Sequence, residues 1–93
     1  MRTDDNITLT RRTVSTVGIT LLFAIRNEEA KLIKLKKEQK GVMDEDIFNG
    51  LVDCMKSNIR MNIDALMEVE EQLDRKISEK NEIEKLQILI NKD

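Results

Sequence analysis

"TVSTVGITLLFAI", residues 13–25, admits three readings: a β-strand, part of a membrane anchor, or a buried helix. Crossing hydrocarbon takes about 20 apolar residues. Here Arg11, Arg12 and Arg26 close the stretch, and Ser15, Thr16 and Thr20 interrupt it, so an anchor is too short. A membrane-surface helix stays open as an alternative, although the Lys- and Arg-rich polar face that it needs is missing within the stretch. The strand reading draws on the β-branched residues from Thr8 to Thr20, which favour sheets. Yet the apolar positions do not alternate. Val14 and Val17 are three apart, and Val17, Leu21 and Ile25 follow at intervals of four, which is one face of a helix. As heptads, Val14, Gly18, Leu21, Ile25, Glu28, Leu32 and Leu35 form a seam, with Gly18 and Glu28 as its flaws. This predicts a helix over about 11–40, after a flexible segment at 1–10. A short strand over 7–17 is the alternative.

Composition supports helices. The chain of 93 residues has no Pro and only three Gly, which leaves little turn chemistry. Its length suits one small domain that buries only about 60–65% of its unfolded surface. Apolar residues are 40% and charged residues 37%, too apolar for general disorder. The net charge of −2 is uneven: residues 1–43 carry nine Lys or Arg against five Asp or Glu, and residues 44–93 carry seven against thirteen. Two complementary helices folded on one another give that asymmetry, as does a basic surface for nucleic acid.

Punctuation follows the first helix. Lys34, Lys36, Lys37 and Lys40 sit near its end, where the dipole favours cations, and Gly41 follows as a stop. Asp44 suits the cap of a second helix, with Glu45 and Asp46 in its first turn. Met43 and Phe48 have the spacing of a hydrophobic staple. So short a connection makes the helices antiparallel neighbours. Phe48, Leu51, Val52, Met55, Ile59, Ile63, Leu66, Leu73 and Ile77 carry the second helix over 44–77, where Glu71 and Arg75 are spaced for an i, i+4 pair. The register then slips. Asn81 with Glu84 resembles a capping box, which predicts a break near 78–81 and a third helix over 82–92. One unbroken helix with a stutter is the alternative. The expected fold is all-α: an antiparallel helical hairpin with a short third C-terminal helix, coiled-coil-like and oligomeric, in a single domain over 11–93.

Catalytic chemistry has little to stand on. There is no His, hence no imidazole base or common transition-metal ligand. Cys54 is the one cysteine; without a cationic activator it reads as a small, buried or half-buried helix residue. It forms no disulfide within the chain, which suits a reducing, cytoplasmic setting. No signal peptide is visible, and the sequon Asn6-Ile7-Thr8 reads as chance. "DEDIFNG", residues 44–50, departs from a calcium loop at its fifth and sixth positions. Asp64, Glu68 and Glu71 share a helical face, as solvated carboxylates commonly do. No enzyme, metal or cofactor is expected.

Contact with other chains remains. "LQILI", residues 86–90, cannot face water comfortably, and Leu22 and Phe23 lie off the main seam. The expected protein interface is Leu22, Phe23, Leu86, Leu89 and Ile90, with Met61 and Met67 as adaptable contacts. The expected partners are a second copy, as a homodimer, and another protein. The expected function is a non-enzymatic interaction module: an adaptor, a chaperone-like subunit or a stoichiometric inhibitor, of a size that fits a phage or bacterial accessory protein. The alternative is a dimeric nucleic-acid-binding regulator contacting phosphates through Lys31, Lys34, Lys36, Lys37 and Lys40. Against it stands the near absence of aromatics for base stacking.

Overall fold

The computed structural model describes residues 10–91. Among these it forms three helices and no strand: α1 (Arg11–Gln39), α2 (Glu45–Leu73) and α3 (Glu82–Asn91). The all-α hairpin with a short third helix is the observed fold. Residues 1–9, including most of the expected flexible segment and the start of the alternative strand, lie outside the described residues, as does residue 92. The remainder of that alternative, 11–17, is helical.

The threonine-rich start of α1 is helical because its hydroxyls bond along the helix. Thr10 caps it, its Oγ1 accepting from the Thr13 N–H at 3.1 Å. Thr16 and Thr20 donate to the carbonyls of Arg12 and Thr16, one turn back, a local pairing that lets Thr sit inside a helix. At the other end Lys40 is extended and Gly41 has φ 81°. The Val42 N–H donates to the Gln39 carbonyl, so Gly41 takes the third position of a type II turn, where positive φ is required. Asp44 then caps α2, accepting from the N–H groups of Asp46 and Ile47 at 3.0 and 3.2 Å.

The second helix is shorter than the expected 44–77. It stops at Leu73, because Asp74 turns left-handed at φ 55°. The Asp74 N–H then donates to Glu71 and the Arg75 N–H to Glu70, the bonding of a Schellman stop. Arg75 therefore leaves the helix, and instead of forming the expected pair with Glu71 it donates to Ser15 Oγ at 3.3 Å. The expected Asn81–Glu84 box is replaced as well. Asn81 is left-handed, at φ 64°. The reaching-back carboxylate is Glu82, which accepts from the Glu79 N–H at 2.9 Å while its own N–H donates to the Glu79 carbonyl. Two residues with positive φ thus bracket the connection.

α1 and α2 run antiparallel. Arg11 donates to the Leu73 carbonyl at 2.6 Å, and Asn58 to Glu28 at 3.2 Å. α3 lies across the hairpin, tied at its start to Arg26 of α1 and, through the Ile90 carbonyl, to Arg60 of α2. The core joins Leu22, Ile25 and Leu32 of α1, Val52, Ile59, Ile63 and Leu66 of α2, and Leu86 and Ile90 of α3. Removing each such side chain from water stabilises by about 2 kcal/mol. The seam differs from expectation at one turn: Leu22 is buried and Leu21 half-buried, because α3 packs on the Leu22 flank. Gly18 is no flaw. A Cβ there would collide with Ile77 Cδ1 and lie 2.8 Å from Val69 Cγ1, so glycine lets the connection close over α1. None of the described helices is long and apolar enough to cross a membrane.

Candidate interaction surface

The carboxylates with displaced acidity hold the fold together. Glu70 is 4% exposed, in the gap between Leu66 and Leu73. Its Oε2 accepts from the Ile77 N–H at 2.7 Å, and from the Ser78 N–H and hydroxyl at 2.9 Å each. Lys76 Nζ stands 3.9 Å from Oε1. Burial by itself would raise the Glu70 pKa. The bonds from Ser78 and Ile77, with Lys76 nearby, outweigh it and leave the group below its usual value. Glu82 is held low first by Arg26, whose Nε and Nη2 meet its two oxygens at 2.8 and 3.0 Å. That fork fastens α3 to α1. Sequence reasoning missed Glu70. The available signal was a charged residue interrupting an apolar seam ahead of a chain break.

The residues considered for chemistry stay apart from one another or face solvent. Asp64, Glu68 and Glu71 are exposed, and no group of three His, Cys, Asp or Glu among the described residues is placed to hold a metal ion. Asp44 is engaged as a helix cap, and residues 45–50 are helical, so the resemblance to a calcium loop has no counterpart in the geometry. Cys54, expected to be at least half-buried, is exposed, because it lies off the seam of Val52, Ile59 and Ile63 that α2 buries.

The expected interface residues divide into two sets. Leu22, Leu86 and Ile90 are buried inside the chain's own core, and Leu89 is half-buried against it. Phe23, Met61 and Met67 are exposed, Phe23 at 62% and Met61 at 66%. Phe23 shares a flank of α1 with Ile19. Both line a shallow groove closed by Arg75, Lys76 and Ile77 of the connection. Met67 borders a second groove, against Ile83 and Gln87 of α3. The five lysines do not form one face. By helical phase Lys31, Lys34 and Lys37 take the solvent side together with Glu38, whereas Lys36 and Lys40 line a groove beside Phe48, Asp53 and Lys56.

Compared with protein-family models, curated proteins and solved structures, the chain matches none.

Proposed function

We propose that the chain is a small non-enzymatic interaction module, an adaptor, chaperone-like subunit or stoichiometric inhibitor that binds another protein through exposed apolar helix faces. The observation that carries this reading is Phe23. It is one of two aromatic residues in the chain, and it stands 62% exposed beside Ile19 over a groove floored in part by Ile77. A large side chain presented on a helix flank next to a shallow apolar groove is the usual anchor of a protein contact. The low-pKa carboxylates support the same reading, since both are engaged in fastening the connection and α3. A free thiol at Cys54 suits action in a reducing, cytoplasmic compartment.

The test is capture from the native cell with tagged full-length protein, wild type beside Phe23→Ala. The expected result is a protein retained by the wild type and lost by the variant, with unchanged circular dichroism. Equal retention by both would exclude Phe23 as the anchor.

A further inference from the structure

α2 carries two seams. The first, through Val52, Ile59, Ile63 and Leu66, is buried against α1 and α3. The second runs through Ile47, Leu51, Cys54, Asn58, Met61 and Ala65, spaced alternately by four and three. That is the spacing of coiled-coil contact positions. None of these six is charged, in a chain that is 37% charged. Ile47 is 59% exposed, Leu51 39% and Met61 66%. α1 supplies a matching row alongside: Val17, Leu21, Ala24, Glu28, Lys31 and Leu35, again spaced by four and three. Asn58 and Glu28 meet across the groove between the rows. α3 touches the hairpin on the other flanks, at Leu22 and Arg26 of α1 and at Arg60 and Met67 of α2. The two rows therefore form one uncovered face on the side away from α3.

We propose that this face takes the same face of a second copy, so that two hairpins pack back to back as a four-helix bundle with α3 on each outer side. Area supports this occupant. Residues 47–65 extend about 27 Å along the helix, and two helices side by side are about 20 Å wide. Two such faces together withdraw roughly 1,100 Å2, just above the lower limit for a specific interface. Charge supports it too. A twofold contact places a patch against itself, which like charges would oppose. This patch holds one carboxylate and one ammonium, Glu28 and Lys31, with the Glu28 carboxylate already accepting from Asn58. The groove beside Phe23 has Arg26, Arg75 and Lys76 against Glu79 at its rim, a net positive charge that would oppose its own copy, so it suits a different protein.

The dimer rests on the interaction-module reading, but it uses another face, so the two fail separately. Phe23 is absent from this contact, and its substitution leaves the dimer intact. The test is sedimentation equilibrium on the full chain at tens of micromolar. The expected result is a wild-type dimer. Leu51→Glu with Met61→Glu, both changes at exposed positions, should weaken it roughly hundredfold or more, because the charges would be buried unpaired. Ile88→Glu, on the exposed side of α3, should leave it unchanged. A monomeric wild type overturns the proposal, as does a dimer that survives the double variant. A second readout uses unmodified protein: the rate at which Cys54 reacts with a thiol reagent should fall as protein concentration rises through the dimerisation range. A rate independent of concentration also overturns the proposal.

Discussion

Two helical glycines should respond with opposite sign to the same substitution. Alanine in place of glycine inside a helix stabilises by about 1 kcal/mol through backbone entropy. Gly50 has no neighbour within 4 Å of an added Cβ, so Gly50→Ala should show that gain. At Gly18 the same methyl meets Ile77 Cδ1 and Val69 Cγ1. Ile77 can turn its terminal carbon aside. Val69 is β-branched within α2 and nearly fixed at χ1. Forcing a methyl into such a site costs about 1–3 kcal/mol. The net for Gly18→Ala is therefore a loss of up to about 2 kcal/mol, and the two variants should differ by about 1–3 kcal/mol. Urea denaturation followed by far-UV circular dichroism reads this directly. With a slope near 1 kcal/mol/M for so small a domain, the midpoints should separate by at least about 1 M. Both variants must be compared at one protein concentration, since association shifts midpoints. Adding Ile77→Ala to Gly18→Ala should recover part of the loss, a coupling expected of side chains in contact. A Gly18→Ala midpoint above wild type would refute the close packing of the connection on α1.

Other outcomes follow from the caps and carboxylates. Glu70→Ala should destabilise by about 3 kcal/mol, by leaving the Ile77 and Ser78 donors without their acceptor; a neutral result in chemical denaturation would remove Glu70 from its role. Both Glu70 and Glu82 have pKa values below the ordinary 4.5. Their contribution is present above the unfolded pKa and is lost as pH falls through the lower folded values. Stability should thus decline in acid below about pH 4.5, and Glu82→Gln should flatten part of that decline. Asp74→Gly should stabilise by about 0.5–1 kcal/mol, since glycine adopts the left-handed conformation without strain. Asp44→Ala should cost about 1 kcal/mol through the lost cap, and Phe48→Ala about 2 kcal/mol, because Phe48 is half-buried; equilibrium unfolding measures all three.

The helices were legible because α1 and α2 repeat by three and four, and because Asp44 and Gly41 carry local instructions that no distant contact overrides. The end of α2 was not legible. Ile77 continues the apolar spacing, and what stops the helix is the left-handed Asp74, a residue that tolerates that conformation without announcing it. Gly18 was misread since the reason for its small size, Ile77, approaches from 59 positions away in sequence. Leu22, Leu86 and Ile90 were recognised as needing cover. Sequence could not say that the cover is mutual, because periodicity fixes which side of a helix is apolar but not how α3 returns across the hairpin. The uncharged second row on α2 was present in the sequence throughout. It could be separated from the core row only once α1 and α3 were in place.

The connection between α2 and α3 has a kinetic consequence. α3 has 10 residues, below the length at which an isolated helix persists in water. It is held by Leu86 and Ile90, the Arg26 fork and the Glu70 acceptor. These can all be released together while the α1–α2 hairpin stays closed, so α3 forms its own opening unit. Amide hydrogens of residues 86–90 should exchange through an event of lower free energy than those of residues 59–66. A protease acting on native protein should cut first within 74–81, and each cut would expose Leu22 to the surrounding water before the hairpin itself unfolds.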